Sequence, residues 1–370
     1  MIELVQGNLL EADAEALVNT VNCVGLMGKG IALQFKQAFP DNFKVYRSAC
    51  DRGEVVPGRM LVVPTGNCVG PRWIINFPTK RHYRHGSRLD DIRSGLVALV
   101  DEVERRMIAS IAVPPLGCGN GGLDWAVVRP LIVAAFAPLP GVQVLLFAPT
   151  GAPEATTMPV KTNAPRWTRA RALFVRLIEQ YRLPDYRLSR LELQKLAYFL
   201  QVAGEPLRLH FVAHRYGPYA ESLNHVLQAM EGHLIRGYGD RSSGSSIALA
   251  EGAAEGASHF LAGDREGAAR VQDVALLIEG FETPYGMELL ATTHWVAVAD
   301  GESTQDIERT IIGVQCWSQR KKARFQPEHI RQAYRRLDAQ GWLRKPRPAS
   351  GPEKHRPFNR GVVASSVACH

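Results

Sequence analysis

The stretch from Asn19 to Lys36, NTVNCVGLMGKGIALQFK, places three glycines between an apolar segment and a helical pattern. Ala16–Thr20 has the composition of a buried strand, and Gly30–Phe39 shows helical spacing of its apolar residues. A Gly-rich turn between a strand and a helix exposes backbone N–H groups, and the helix N-terminus adds partial positive charge. The stretch therefore predicts an anion-binding loop. It is not a P-loop, because Ile31 stands where that motif needs a lysine.

A second Gly-rich loop, LGCGNGGLDW, runs from Leu116 to Trp125, after the apolar pattern SIAVPP and before another helical pattern. Neither loop contains G-x-G-x-x-G in the context of a dinucleotide-binding fold. One Gly-rich loop alone is more often a simple turn. Two of them, each at the C-terminal end of a predicted strand, favour one ligand that crosses the sheet edge there. We expect a nucleotide that contains a diphosphate.

Short apolar runs alternate with amphipathic helical patterns up to about residue 150. This alternation predicts an α/β sheet covered by helices on both faces. In the longest helical pattern, from Leu89 to Met107, the apolar residues fall on one stripe. The predicted strands are Ile2–Val5, Ala16–Thr20, Met60–Pro64, Trp73–Asn76, Ser110–Val113 and Val142–Phe147, and the predicted helices are Gly30–Phe39, Leu89–Met107 and Trp125–Phe136.

A chain of 370 residues is long enough for two domains. We predict an α/β domain over residues 1–150 and a linker over 151–165, where GAPEATTMPVKTNAP is rich in Pro, Thr and Ala without periodicity. Residues 166–345 predict a smaller, mostly helical α+β domain with a loop over 241–258. The polar, Pro-rich residues 346–370 predict a disordered tail.

The composition indicates a soluble protein with an anionic partner. No run approaches the roughly 18 apolar residues of a membrane span, and the acidic N-terminal segment lacks the layout of a signal peptide, so we expect a cytoplasmic protein. The six cysteines form no C-x-x-C pair and no zinc-spaced cluster, so we expect reduced thiols and no metal. The net charge of +8 and the isoelectric point near 9.3 favour nucleic acid or a nucleotide as partner.

Three separated segments resemble a known family: QGNLLEADAEALVNTVNCVGLMGKGIALQFKQAFP, INFPTKRHYRHGSRLDDI and PPLGCGNGGLDW. They are similar to macrodomains, the fold that binds ADP-ribose, and most of all to DNA ADP-ribosyl glycohydrolases. Those enzymes are the antitoxin partners of toxins that ADP-ribosylate thymidine in single-stranded DNA. The resemblance covers residues 1–150. It implies a mixed sheet between helices and hydrolysis of the N-glycosidic bond between ADP-ribose and thymidine.

The resemblance also implies where ADP-ribose binds. Asn8 and Leu9 would contact the adenine; many relatives have an aspartate at the first position, and the asparagine oxygen could also accept from the adenine amino group. The first Gly-rich loop would hold the distal ribose and part of the diphosphate. The implied ligand contacts are Asn8, Leu9, Thr20, Val21, Asn22, Ile31, Ala32, Leu33, Gln34, Thr79, Gly117, Cys118, Gly119, Asn120 and Gly121.

Lys80 follows the apolar strand pattern WIINF, and by itself a lone loop lysine is more often a solvated surface charge. The resemblance reverses this expectation, because these glycohydrolases use a lysine at this motif. A lysine whose pKa is lowered by burial could donate a proton to the departing base or attack the anomeric carbon of the ribose. Asn22 would orient the base in either case. Lys80 and Asn22 are therefore the predicted catalytic residues.

One departure from related macrodomain hydrolases bears on the substrate. Hydrolases that remove ADP-ribose from protein carboxylates combine a lysine with an aspartate in the second Gly-rich loop, and that aspartate falls at Gly121 here. Asp124, three residues later, is predicted to cap the next helix. The absent carboxylate favours a DNA substrate. Two alternatives stay open: a macrodomain that reads ADP-ribose without cleaving it, and a hydrolase of ADP-ribosylated protein.

The residues after Lys80 add positive charge near the predicted site, which suits a nucleic-acid substrate: Arg81, Arg84 and Arg88. His82 and His85 could contact the DNA backbone, although a polar loop explains them equally well. Cys118 has no His–Asp partner pattern in the sequence. It is predicted to be a small loop residue and not a nucleophile.

The second region contains LELQKLAYFLQ followed by YGPY, and this pattern resembles an antitoxin-type domain that occurs beside many unrelated toxins. The resemblance implies direct binding of the cognate DNA ADP-ribosyltransferase toxin. Tyr198, Tyr216 and Tyr219 could be interface anchors, although packing is the safer explanation. The basic flanking segments RWTRARALFVR and WSQRKKARF argue against simple charge mimicry of DNA and leave operator DNA open as a partner.

Overall fold

The computed structural model describes residues 1–66, 70–149, 158–181, 187–239, 246–298 and 306–344. The chain divides into two compact units: the first comprises Met1–Ala164, and the second begins at Pro165 and spans more of the sequence. The predicted linker lies partly, and the predicted tail wholly, outside the described residues.

A six-stranded mixed sheet forms the centre of the first unit, as the sequence predicts. Its strands are β1 (Ile2–Val5), β2 (Ala16–Asn22), β3 (Leu61–Pro64), β4 (Trp73–Lys80), β5 (Ser110–Val113) and β6 (Gln143–Phe147). They lie in the order β1-β6-β5-β2-β4-β3, with β3 antiparallel to β4 and the other neighbouring pairs parallel. Parallel strands are covered on both faces, which is why their sequences read as nearly continuous apolar runs.

Helices pack on both faces of this sheet. They are α1 (Gly30–Ala38), α2 (Pro40–Asp51), α3 (Leu89–Arg105) and α4 (Trp125–Phe136), with a short 3-10 turn at Leu9–Glu11. Successive strand residues point to opposite faces and so join separate cores. Val18 and Phe77 pack with α3 and α4, whereas Leu17 and Ile74 pack with α1.

Two local predictions for these helices are confirmed. The carboxylate of Asp124 accepts a hydrogen bond from the backbone N–H of Ala126 at 2.9 Å and caps α4. The predicted stripe is buried along α3, with Ile92 and Leu99 fully inaccessible, but the helix ends at Arg105, so the prediction was wrong at Met107, which is 86% exposed. These features fix the two helices that flank the end of β4.

The second unit is mostly helical, with two short antiparallel strand pairs. The strands are β7 (Val212–His214) with β8 (Gly217–Tyr219) and β9 (Ile235–Arg236) with β10 (Ala248–Leu249). The helices are α5 (Arg169–Tyr181), α6 (Arg190–Val202), α7 (Leu223–Met230), α8 (Ala253–Phe260), α9 (Arg265–Ile278), α10 (Pro284–Ala297), α11 (Ile307–Cys316), α12 (Gln319–Arg324) and α13 (Pro327–Ala339). The predicted loop over 241–258 was wrong where β10 and the start of α8 lie, since the alanines at its C-terminal end favour a helix, and residues 241–245 lie outside the described residues.

Helix α10 is buried along almost its whole length and joins α6 and α13 in one core. Among the residues that the structure describes, no helix is both long and apolar enough to cross a membrane.

Candidate active site at the carboxyl edge of the sheet

The carboxyl ends of parallel strands meet at one edge of the sheet in the first unit. β2 ends at Asn22 and its neighbour β4 ends at Lys80, and these two residues are paired, after a one-residue register shift that follows Val21. On the other side of β2, β5 leads into the second Gly-rich loop, and at the far edge β1 leads to Asn8. The predicted site residues of four separate segments therefore lie along one edge.

The first Gly-rich loop is organised by the side chain of Asn22. Its amide nitrogen donates to the carbonyl of Leu26 at 2.5 Å, and its amide oxygen accepts from the backbone N–H of Val24 at 3.0 Å. The hydroxyl of Tyr46, on α2, donates to the backbone and side-chain oxygens of Asn22 at 2.8 and 3.1 Å. Both polar atoms of this amide are thus engaged inside the loop, and Asn22 shapes the loop that flanks Lys80.

This loop leaves two apolar side chains in solvent. Val24 is 43% exposed and Leu26 is 46% exposed, while Met27 between the loop and the sheet is buried. Sequence reasoning missed both residues and also Tyr46. Their signal in the sequence is weak: Val24 and Leu26 flank Gly25 in a loop that has no core to fill, and Tyr46 resembles an ordinary core residue of a helix.

The second Gly-rich loop is compact at Gly117 and Gly121, where it leaves no space for a side chain. A Cβ at Gly121 would lie 2.1 Å from the carbonyl oxygen of Gly117, and Gly117 itself has a positive φ of 73°. The carbonyl of Gly121 accepts from the backbone N–H of Ser87 at 2.9 Å, which joins this loop to the segment after β4. Glycine at position 121 is therefore a steric requirement of the loop.

The two Gly-rich loops meet beside Lys80. The side-chain nitrogen of Asn120 lies 3.2 Å from where a Cβ at Gly30 would stand, so the tips of both loops are in contact. The ammonium of Lys80 donates a hydrogen bond to the backbone carbonyl of Asn120. The predicted catalytic lysine and both predicted anion loops are thereby brought together.

The pKa of Lys80 is lowered from its ordinary value. Partial burial is the larger cause, because it disfavours the charged form, and the positive charge of Lys29 adds to it. A lowered pKa makes the lysine a better proton donor at neutral pH and also raises the fraction of the nucleophilic neutral amine.

The first turn of α1 faces the same edge with free backbone donors. Gly30, Ile31 and Ala32 open the helix, and Lys29 at the N-cap makes no side-chain capping bond among the residues that the structure describes. The first N–H groups of an uncapped helix attract anions. Ile31, Ala32 and Gln34 are half-buried, and Leu33 is buried in the unit.

Asn8 and Leu9 lie at the opposite end of the edge. The side chain of Asn8 caps the 3-10 turn by accepting from the backbone N–H of Leu10 at 3.1 Å and donates to Glu11 at 3.0 Å. Leu9 is buried at 5% exposure. Because β1 and β4 are four strand spacings apart, roughly 19 Å separates this end from Lys80. A single ligand that reaches both ends must be elongated.

The remaining predicted contacts line the middle of the edge. Cys118 is a thiol and not a thiolate, because burial raises its pKa to about 11. Thr79 is buried and Thr20 is half-buried, while Gly119 and Asn120 are exposed at the loop tip. Within the described residues, no three His, Cys, Asp or Glu side chains are grouped closely enough to hold a metal ion.

Comparison with known proteins assigns this architecture to a class. The Macro domain family model matches residues 18–132, which include β2, β4, β5 and both Gly-rich loops. The first unit is a macrodomain. The solved macrodomain of Mycobacterium tuberculosis DarG is 56% identical, with coverage of 40% of this chain and 99% of that chain and a TM-score of 0.40.

Relatives along nearly the whole chain define the family. A DNA ADP-ribosyl glycohydrolase of Thermus aquaticus is 48% identical over 93% of this chain and 95% of its own length. One of Mycobacterium tuberculosis is 43% identical over 91% of this chain and 99% of its own length. The chain belongs to the DNA ADP-ribosyl glycohydrolases, and it is a hydrolase. A DNA ADP-ribosyl transferase-DNA ADP-ribosyl glycohydrolase fusion protein of Thermosipho africanus is 35% identical over 35% of this chain and 38% of its own length.

Proposed function

We propose that this enzyme hydrolyses the N-glycosidic bond between ADP-ribose and thymidine in single-stranded DNA and so reverses a DNA ADP-ribosyltransferase toxin. The observation that carries the proposal is Lys80, partly buried with a lowered pKa, between two Gly-rich loops at the sheet edge. The similarity to DNA ADP-ribosyl glycohydrolases supports a DNA substrate, and the fusion of one relative to a DNA ADP-ribosyl transferase supports the toxin as its counterpart.

The proposed ligand lies along the carboxyl edge. Its adenine is at Asn8 and Leu9, and its distal ribose is at Lys80. The roughly 19 Å between these two ends of the edge suits an extended, dinucleotide-like molecule. Its diphosphate takes the free N–H groups at the start of α1 and those of the second Gly-rich loop. Thr20, Val21 and Thr79 line the path between.

Two mechanisms fit the position of Lys80. As a nucleophile, the neutral amine forms a C–N bond to the anomeric carbon while the bond to thymine breaks. The base leaves with the bonding pair and takes up a proton, and water later displaces the lysine. As a general acid, the ammonium gives its proton to the departing base while water attacks the oxocarbenium-like ribose.

Asn22 supports either mechanism through the loop. Because its amide is bonded to Leu26 and Val24 inside the loop, its proposed role here is to hold the loop against the distal ribose. Direct orientation of the base by Asn22 then requires that the loop rearrange when substrate binds.

A hydrolase of ADP-ribosylated protein is the alternative enzyme, and Gly121 speaks against it. The related enzymes place a carboxylate at this position. Here even a Cβ would meet Gly117 and the hydroxyl of Ser87 at 2.1 and 2.3 Å. The loop is therefore built for glycine, and no carboxylate takes that position without displacing it.

The test uses the full chain with two conjugates and one ligand. The conjugates carry ADP-ribose on a thymine of an oligonucleotide or on a protein glutamate, and the ligand is free ADP-ribose. We expect release of ADP-ribose from the oligonucleotide alone. Lys80→Ala should lower that release about 100-fold or more, in the range of lost acid–base catalysis. Lys44→Ala, which removes an exposed lysine paired with Asp41, is the control. Binding of free ADP-ribose without release from either conjugate would mean that the protein reads ADP-ribose and does not cleave it.

The second unit is proposed to bind the toxin directly, with Tyr216 as an anchor. Tyr198 is fully buried and its hydroxyl is 2.7 Å from Nδ1 of His294, so it serves packing. Tyr219 is half-buried against Asn224. Tyr216 is 38% exposed, with the guanidinium of Arg320 4.5 Å from its ring. Tyr216→Ala should weaken capture of the cognate toxin, and Ile312→Ala, at an even more exposed apolar position on α11, should not.

Operator DNA is the other candidate partner of the second unit. The basic segments that suggested it are neutralised in part within the fold. Arg169 pairs with Asp264 at 2.6 Å, and Arg320 and Lys321 both pair with Glu288. A salt-sensitive affinity of the full chain for unmodified duplex DNA would support operator DNA as a partner. Absence of such an affinity would exclude operator DNA.

A further inference from the structure

The segment that follows Lys80 has a composition suited to single-stranded nucleic acid. Arg81–Arg88 reads RHYRHGSR and contains three arginines, two histidines and a tyrosine, with no acidic residue. Proteins that bind single strands without strict sequence preference combine positive charge along the backbone with aromatic rings on which bases stack. None of the predicted ADP-ribose contacts lies in this segment.

Both ends of the segment are tied to the candidate active site. It directly follows Lys80, the last residue of β4. Near its C-terminal end, the backbone N–H of Ser87 donates to the carbonyl of Gly121 at 2.9 Å. Between these points the chain makes a tight turn, with the N–H of His85 bonded to the carbonyl of His82 at 3.1 Å. The segment therefore borders both Lys80 and the second Gly-rich loop.

Its rings are grouped at the surface. The ring centroids of His82 and Tyr83 are 4.3 Å apart at an interplanar angle of 33°, and those of His82 and His85 are 5.2 Å apart at 48°, so both pairs are tilted. Tyr83 is nevertheless 45% exposed. The exposed part of such a ring can accept a further flat partner.

Two of the three arginine charges of the segment have no ion-pair partner among the described residues. Arg81 pairs with Asp91 at 3.1 Å, whereas neither Arg84 nor Arg88 has a carboxylate within ion-pair distance there. The guanidinium of Arg84 lies 5.4 Å from the centre of the Tyr83 ring. A partly exposed ring beside an unpaired guanidinium group matches a base and its phosphate.

We propose that Arg81–Arg88 docks the nucleotides adjacent to the modified thymidine, with Tyr83 stacking on a flanking base and Arg84 contacting a phosphate. This inference rests on the proposed function, since it extends the substrate beyond the ADP-ribosylated nucleoside. It makes the strand, and not only the modified base, part of what the enzyme recognises.

The test compares two probes on the full chain carrying Lys80→Ala, which should prevent turnover. One probe is a nine-nucleotide single strand with ADP-ribose on its central thymine, and the other is ADP-ribosylated thymidine alone. We expect the Lys80→Ala chain to bind the oligonucleotide more tightly than ADP-ribosylated thymidine. Adding Tyr83→Ala should reduce that preference about tenfold, a loss of about 1.4 kcal/mol. Tyr83→Phe, which keeps the ring, should retain it.

Charge is tested by the salt dependence of oligonucleotide binding. Arg84→Gln should reduce the slope of log affinity against log salt by about 0.7, the value for one lost phosphate contact on a single strand. Arg93→Gln, which removes an arginine already paired with Asp90 on α3, should leave the slope unchanged.

The outcomes separate this inference from the proposed function. Equal loss of affinity for both probes in Tyr83→Ala would mean a merely structural role and would overturn the docking proposal, as would no loss for either. Release of ADP-ribose by the unmodified chain is a separate measurement, so failure of the glycohydrolase assay with an intact Tyr83 effect would overturn only the proposed function.

Discussion

At the scale of single residues, the side chain of Lys80 lies under opposing influences. Its hydrogen bond to the carbonyl of Asn120 favours the ammonium form. Partial burial and the charge of Lys29 disfavour that form and prevail, so the pKa is lowered. We propose that this balance equips Lys80 for chemistry, while Lys44 at the surface of α2 is exposed and pairs with Asp41.

The pH profile of turnover should report this lowered pKa. We expect kcat/KM to inflect below the ordinary lysine value of 10.5. An attacking amine must be neutral, so activity would rise with pH through the inflection, whereas a proton donor must be charged, so activity would fall. In either case Lys29→Gln removes a repelling charge and should move the inflection to higher pH. Lys44→Gln should not move it. An inflection at the same pH in Lys29→Gln and in the parent chain would contradict this account of the site.

Gly121→Ala should disrupt the second Gly-rich loop. Its new Cβ would lie 2.1 Å from the carbonyl of Gly117, so the loop must shift. We expect a loss of about 1–3 kcal/mol in unfolding free energy and weaker binding of ADP-ribose, measured by denaturant titration and calorimetry. Gly119→Ala is the matched control for stability, because no atom lies within 4 Å of its Cβ position. Equal unfolding free energies of the two variants would show that the loop tolerates a side chain at position 121.

The sequence predicted the identity of Lys80 better than the behaviour of Asn22. The lysine was identifiable because a family resemblance assigns a function to it at this motif. The loop bonds of Asn22 depend on the carbonyl of Leu26 and the hydroxyl of Tyr46, which lies on another element. Such partners are set by tertiary contacts, and no local pattern in a single sequence encodes them.

At the scale of elements, helix α2 is the support of the first Gly-rich loop. Its Tyr46 is fully buried and reaches the end of β2. Its Asn42 accepts from the amide of Asn76 on β4 at 2.7 Å, so the same helix is bonded to both β2 and β4. This helix was not predicted, because the residues it buries include Asn42 and break the apolar spacing that marks a helix.

Removing the tyrosine hydroxyl should loosen this connection. Tyr46→Phe deletes two hydrogen bonds to Asn22 and leaves its carbonyl without that donor. We expect about 1–2 kcal/mol lower unfolding free energy and a several-fold lower kcat/KM on the ADP-ribosylated oligonucleotide. Tyr216→Phe in the second unit serves as the control for the substitution itself. Unchanged turnover with lowered stability would mean that α2 supports the fold but not the catalytic loop.

The strands show where sequence patterns fall short. The apolar runs predicted strand ends at Thr20 and Asn76, but β2 continues to Asn22 and β4 to Lys80. Backbone pairing between the two parallel strands, not side-chain polarity, sets these ends. The extension matters, because it delivers both predicted catalytic residues to the same edge.

At the scale of the whole molecule, chain length and composition indicated two domains, but they gave no sign of the charged cluster inside the second unit. Lys195 donates to the carbonyl of Pro218 at 2.5 Å and is 1% exposed. Lys321 donates to Glu288 at 2.8 Å, and Arg320 forms two bonds with the same carboxylate. A lysine in an amphipathic pattern predicts a solvated face, so only the folded structure reveals these buried charges.

The buried Lys195 should make the stability of the second unit depend on pH. Burial and the charge of Lys321 lower its pKa to about 7, against the opposing attraction of Glu288. Its unfolded value is roughly 10.4. Between these values the unfolded chain binds more protons, so unfolding free energy rises with pH, by about 1–2 kcal/mol from pH 7.5 to 9. His214 also lies close enough for Lys195 to affect its pKa, and it stays neutral in this range because its own pKa is lowered below 6.5.

Lys195→Met should flatten this rise. Urea unfolding of the full chain at the two pH values, followed by tryptophan fluorescence, measures it, because four of the six tryptophans (Trp167, Trp295, Trp317 and Trp342) lie in the second unit. Lys322→Met, at an exposed neighbouring position on α12, should keep the slope of the parent. Lys321 has a lowered pKa too, so a residual rise is expected in Lys195→Met. A slope equal to the parent's would mean that Lys195 stays protonated in the core, with Glu288 as its effective counter-charge.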